Sequence, residues 1–139
     1  MLIGHDDAWQ AWRAALAGER MHHAWLLTGK AGLGKSAFAF AAAHELVGGG
    51  PDPAQHPDIL VLTHGPKTKE DEKKRDDGKP WERARGIKID QIREIQRRLT
   101  TRPTLGERRA VIVDPADDLE RPAANALLKS LEEPPVGTY

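Results

Sequence analysis

Short continuous apolar runs alternate with longer stretches of helical spacing along this chain. Trp9, Trp12 and Leu16, with the alanines between them, make an apolar stripe. They predict a helix that Asp6 or Asp7 caps and that runs to about Ala17, with Gly18 as its stop. Ala24–Thr28 (AWLLT) is nearly all apolar, the pattern of a strand covered by helices on both faces. Ala37–Val47 is Ala-rich and reads as a helix, broken by Gly48-Gly49-Gly50-Pro51. A loop to Pro57 leads to a second buried strand at Asp58–Thr63 (DILVLT). Within Ile87–Leu99, Ile89, Ile92, Ile95 and Leu99 recur at helical spacing, and Asp90 sits in the first turn, where an acid suits the helix dipole. Pro103 and Gly106 mark the next turn, and Arg109–Asp114 (RAVIVD) is a third strand. Asp117 or Asp118 opens a last helix to about Glu133, carrying Leu119, Ala123, Leu127, Leu128 and Leu131 and stopped by Pro134-Pro135. Gly137–Tyr139 looks like the start of another strand. Strands and helices in alternation predict an α/β domain with a parallel sheet.

One segment departs from this pattern. Residues 64–86 (HGPKTKEDEKKRDDGKPWERARG) mix both signs of charge around a single large apolar residue, Trp81. So little apolar surface does not offset ordering entropy, and a mobile surface insertion is expected. The interleaved acids argue against a basic nucleic-acid tail. Arg93, Arg97 and Arg98 lie off the stripe of their helix and read as a solvated face rather than a DNA contact. Trp9 and Trp12 read as core rather than as a stacking surface for a base.

Composition narrows the function classes. Lys and Arg number 21 and Asp and Glu 21, so no net field draws the 139-residue chain onto nucleic acid or a membrane. The absence of cysteine excludes disulfides and thiolate metal sites. His22 and His23 are adjacent, and strand neighbours point to opposite faces, so they do not share a metal. The first ten residues lack the basic-then-apolar order of a signal peptide, and no apolar run approaches a membrane span. A soluble chain is expected.

The candidate chemistry lies between the first strand and the helix after it. Gly29-Lys30-Ala31-Gly32-Leu33-Gly34-Lys35-Ser36 fits G-x-x-x-x-G-K-[ST], the phosphate-binding P-loop, with the strand and helix the motif requires on either side. Gly29, Gly32 and Gly34 allow backbone angles that turn successive N–H groups toward an anion. The helix opening near Lys35 adds donors and the positive end of its dipole. Lys35 is then placed to reach the β- and γ-phosphates of ATP, and the Ser36 hydroxyl to hold Mg²⁺. Asp114, ending an apolar strand, is the second carboxylate such a site uses beside the metal. A plain glycine-rich turn is the competing reading of the loop, but it does not account for the register of Gly, Lys and Ser.

Several stretches together resemble the bacterial clamp-loader AAA+ subunits of DNA polymerase III, in their delta-prime branch. They are Ile3-Gly4-His5, His23-Ala24-Trp25-Leu26-Leu27-Thr28-Gly29, His56-Pro57-Asp58 and, far more specific, Asn125–Pro135 (NALLKSLEEPP). The resemblance runs through nearly the whole chain except 64–86. It implies a three-layer P-loop NTPase domain and a cytoplasmic role in loading the sliding clamp onto primed DNA. The implied partners are the gamma/tau and delta subunits of a hetero-oligomeric loader. Residues 1–139 would be the N-terminal portion of that domain, ending before the sensor-1 strand, arginine finger, lid and collar, in a longer protein.

Two further departures from the family bear on activity. Active members follow the strand-end Asp with Glu, the base that polarises water, whereas Asp114 is followed by Pro115. Asp117 and Asp118 are poor substitutes, and loss of a general base costs about 10²–10⁴-fold, so no residue is assigned a catalytic role and hydrolysis should be weak or absent. Many members also carry a four-cysteine zinc module where this chain has Gly48–Gln55, so zinc is excluded. The expectation is a mainly architectural subunit whose phosphate loop binds ATP or ADP with Mg²⁺ and turns it over poorly. An active gamma/tau-type ATPase and a small-molecule kinase are the rival readings, and a scaffold with an empty loop is a third.

Overall fold

The computed structural model describes residues 5–18, 24–30 and 32–139. Its elements are α1 (Asp6–Ala17), α2 (Lys35–Leu46), β1 (Ile59–Leu62), α3 (Lys69–Asp76), α4 (Ile89–Leu99), β2 (Ala110–Val113) and α5 (Arg121–Glu132). The fold is α/β with a parallel ladder. Ala110 N–H donates to Asp58 O at 2.9 Å and Asp114 N–H to Leu62 O at 2.9 Å, so donors and acceptors advance together. Thr138 bridges Arg109, the residue before β2, in the parallel sense, as the pattern at Gly137–Tyr139 foreshadows.

Two compact units divide the chain. The first comprises the described residues of Met1–Leu60, Arg102–Ile112 and Pro134–Tyr139. Its core joins Trp12, Phe38, Ala42, Ala43, Leu46, Ile59, Ala110 and Ile112, with Trp9, Leu16 and Leu27 packed against them. Burying a side chain such as Phe38 or Leu46 contributes about 1.5–3 kcal/mol, so α2 is held chiefly by this face. Both tryptophans of α1 pack in this core, as expected. The helix starts one residue earlier than a cap at Asp6 would allow: His5 is the N-cap residue, with left-handed backbone angles (φ 62°, ψ 30°) and no side-chain cap. Gly18 ends it by donating to Ala14 O and Ala15 O.

Ala24–Thr28 does not form the expected strand. Residues 24–30 have no strand ladder, and Leu26 is 78% exposed. A parallel strand is only as regular as the neighbours that pair with its backbone, and apolar composition supplies none of those bonds. Leu27 alone of the run packs into the core, while Trp25 meets Trp12 edge-on at 5.2 Å.

The second unit comprises Val61–Thr101 and Val113–Glu133. Leu62, Ile87, Ile92 and Ala123 form its core, with Ile89, Ile95, Leu119 and Leu127 around them. The stripe of α4 therefore faces inward as its spacing predicts. Its helix begins at Ile89 rather than Ile87, because Ile87 bridges Leu119 instead. Asp117 and Asp118 do not open α5: they lie in a 3-10 turn at Ala116–Asp118, and α5 starts after Glu120 with Pro122 in its first turn. Arg97 and Arg93 pair with Glu94 and Asp90 on the exposed face of α4.

The charged segment 64–86, expected as a mobile insertion, carries structure of its own. Thr68 caps α3 by accepting from Asp71 N–H at 3.1 Å. The Asp71 carboxylate in turn accepts from Thr68 Oγ1 at 2.8 Å and from Glu82 N–H at 3.1 Å. Pro66 and Arg83 form an antiparallel bridge, and Arg83 lies over the Trp81 ring at 4.9 Å. Acids fill the first turn of α3 and bases its last, in the sense the helix dipole favours. Capping and paired charge thus give local order that apolar content does not.

Candidate phosphate-binding site

The loop from Gly29 to Ser36 lies in the first unit, and Ala31 falls outside its described residues, as do Ile3, Gly4, His22 and His23. Gly29, Gly32 and Gly34 have φ of 148°, 85° and 85°, which L side chains rarely adopt. A Cβ on Gly29 would meet Leu33 Cδ1 at 3.2 Å, whereas the space beside Gly32 is open. Gly34 is the N-cap of α2 and brings no side chain to its first-turn N–H groups, the donors an anion can use. Its carbonyl accepts the first helical bond from Phe38 N–H at 2.9 Å. Lys35 opens the helix and donates from Nζ back to Gly29 O, closing the loop on its own first carbonyl. Lys30 and Leu33 are exposed, and Ser36 is exposed on the first turn of α2. Asp114 follows β2 in the second unit, and its N–H completes the ladder to Leu62 O. Within the first unit the donor set suits a phosphate: three glycines with the required angles, an ammonium on Lys35 and a hydroxyl on Ser36.

Two features of the first unit escape a reading of the sequence. His5 Nε2 donates to Leu33 O at 2.6 Å, from 28 residues away. His56 and Asp58, quoted above only for a resemblance, tie loops together. Asp58 is fully buried, and its carboxylate accepts from Thr104 N–H at 2.5 Å and Leu105 N–H at 2.8 Å. Burial pushes this carboxyl up, but the two N–H donors, with His56 and Arg109 nearby, hold it below the usual range. His56 Nδ1 accepts from Asp58 N–H at 3.0 Å while Nε2 contacts Gly49 O at 3.2 Å, which places the ring proton on Nε2. An Asp at the head of an apolar run, and a Pro-Thr-Leu-Gly turn far along the chain, were the available signals.

In the second unit, Asp118 is engaged by His64 Nε2 at 2.7 Å, and Asp117 is exposed in the 3-10 turn.

The family described as "DNA polymerase III, delta subunit" matches residues 4–139. The chain belongs to this family. It is 35% identical to DNA polymerase III subunit delta' of Pseudomonas aeruginosa over 141 aligned residues, covering 90% of this chain and 38% of that protein. It is 29% identical to the delta' subunit of Escherichia coli K12, over 86% of this chain and 36% of that protein. The gamma subunit of Buchnera aphidicola is 33% identical over 96% of this chain and 36% of its own length. The crystal structure of a gamma subunit-related protein from Thermotoga maritima superposes with a TM-score of 0.56 at 26% identity, over 76% of this chain and 29% of that one. The chain thus spans less than two fifths of the curated relatives it matches. Membership of the DNA polymerase III family agrees with the α/β fold and with the resemblance carried by NALLKSLEEPP. Among the described residues no helix is long and apolar enough to cross a membrane.

Proposed function

We propose that the complete protein is a clamp-loader subunit of the delta-prime kind, which helps place the sliding clamp on primed DNA within a hetero-oligomer of gamma/tau and delta subunits. The observation that carries this reading is the family match over 4–139, joined to Pro115 after the strand-end Asp114. Residues 1–139 are then the N-terminal portion of an AAA+ domain. Gly29–Ser36 binds the phosphates of ATP or ADP, with Lys35 neutralising their charge. Ser36 and Asp114 are the residues for Mg²⁺, which when bound supplies further neutralisation at the phosphate oxygens. With no glutamate after Asp114, no side chain polarises a water, and turnover falls by about 10²–10⁴ against an active motor subunit. The subunit then serves mainly by shape and by what it presents to its neighbours.

The gamma-type ATPase is the second reading, favoured by the Buchnera relative's 96% coverage of this chain. Measuring Mg²⁺-dependent ATP and ADP binding to the complete protein, beside a folded Lys35→Ala variant, separates the cases. Micromolar binding lost in the variant with negligible hydrolysis supports the delta-prime reading. Substantial hydrolysis by the complete protein alone moves the assignment to a gamma-type motor. Absence of binding reduces the loop to a structural turn, and failure to assemble with gamma/tau and delta subunits defeats the loader role.

A further inference from the structure

His5 sits where no composition rule asks for a histidine. It is the only described non-glycine residue with positive φ, at 62°, a conformation that side chains other than glycine adopt only when their surroundings require it. Two contacts hold it there: Trp9 N–H donates to its carbonyl at 2.9 Å, and its ring meets Phe38 edge-on at 6.4 Å. The ring nitrogen then reaches Leu33 O at 2.6 Å. A carbonyl only accepts, so Nε2 carries the proton and donates.

The consequence follows from peptide planarity. The Leu33–Gly34 peptide is trans, so its C=O and N–H point to opposite sides of one plane. Fixing Leu33 O toward His5 fixes Gly34 N–H away from it. Gly34 has φ of 85° and the freedom of a glycine, so without that anchor this peptide plane is among the easiest in the loop to rotate. We infer that His5 is a positioning residue of the phosphate loop: by holding the Leu33 carbonyl it presets the direction of the Gly34 N–H for an anion. This rests on the nucleotide-binding reading of the loop and adds to it a group outside the motif, on the residue that precedes α1.

The test uses the complete protein labelled with ¹³C′-leucine and ¹⁵N-glycine, so that the Leu33–Gly34 peptide is read directly and Leu105–Gly106 serves as an internal control. His5→Phe keeps an aromatic ring against Phe38 and removes the donor. His5→Gln restores an N–H near the position of Nε2. The expected result is a displaced Leu33–Gly34 resonance and about fivefold weaker ATP binding in His5→Phe, the worth of one exposed hydrogen bond, with both largely restored in His5→Gln and Leu105–Gly106 unmoved. Unchanged Leu33–Gly34 signal and ATP affinity in His5→Phe, while Lys35→Ala abolishes binding, overturns the inference and leaves the phosphate loop standing. Equal weakening in His5→Phe and His5→Gln also overturns it, because packing rather than the donor then matters. A wild-type protein that binds no nucleotide removes the phosphate-loop reading itself, and the positioning role falls with it.

Discussion

Segment 64–86 and the phosphate loop are both exposed, yet they are held in different ways. From Pro66 to Arg83 the bonds named here are local, Thr68 with Asp71, Asp71 with Glu82 and Pro66 with Arg83, while His64 at the edge of the segment reaches Asp118. The loop and the extended residues before it lean on distant partners. Leu33 is held by His5, and Leu27 reaches a core built from α1, α2 and the strands. A locally closed knot sacrifices little chain entropy per bond, because its ends are already near. A loop held from a distance depends on its whole unit.

The Asp58 knot is the extreme of the second kind, because its bonds span 46 and 47 residues. Asp58→Ala strands the N–H groups of Thr104 and Leu105 and is expected to destabilise the protein by about 2–4 kcal/mol in denaturant unfolding. The phosphate loop, in the same unit, should loosen with it. The sign of the pH effect is fixed by the depressed carboxyl. Its contribution is full above the unfolded aspartate pKa, near 4, and fades as pH falls through the lower folded value. Asp58→Asn should therefore flatten the acid limb of the stability curve. An unchanged acid limb would show that Asp58 is not the group that titrates.

Asp71 tests the local kind. Its carboxyl is held below the usual range, first by Glu82 N–H and then by the Thr68 hydroxyl. Asp71→Ala should abolish slow amide exchange in α3 and at Glu82 while leaving exchange at α2 and the phosphate loop unchanged. Loss of protection in both regions would mean that the charged segment is not the self-contained knot its bonds describe.

How much of this was legible in the sequence follows the same division. The stripes of α1 and α4, the breaker glycines and the P-loop spacing are short-range patterns, and each was readable. The failures came where order depends on pairing. Ala24–Thr28 has strand composition, but composition does not supply the ladder. Segment 64–86 has the composition of disorder, but Thr68 three residues before Asp71 is a cap signal that was there to be read. The His5–Leu33 and Asp58–Thr104 bonds carry no periodicity at all, since partners that far apart are joined by the fold alone. At the site, the glycines and Lys35 were given by spacing, whereas the placement of Asp118 against His64 required coordinates.

The finest separation of the two regions comes from a pair of glycines in matched environments. Gly32 in the phosphate loop and Gly78 after α3 have φ of 85° and 72°, and neither has anything within 4 Å of where a Cβ would stand. Alanine at either position meets no clash and incurs only the strain of the left-handed backbone, about 1 kcal/mol. Gly32→Ala and Gly78→Ala should therefore lower the stability of the complete protein by similar, small amounts in thermal unfolding. Their effects on nucleotide should diverge: Gly32→Ala tilts donors out of the loop and weakens ATP binding, and Gly78→Ala leaves it unchanged. Equal binding by both variants would mean that Gly32 serves chain reversal alone, and that the anion seat lies only at Gly34 and the start of α2.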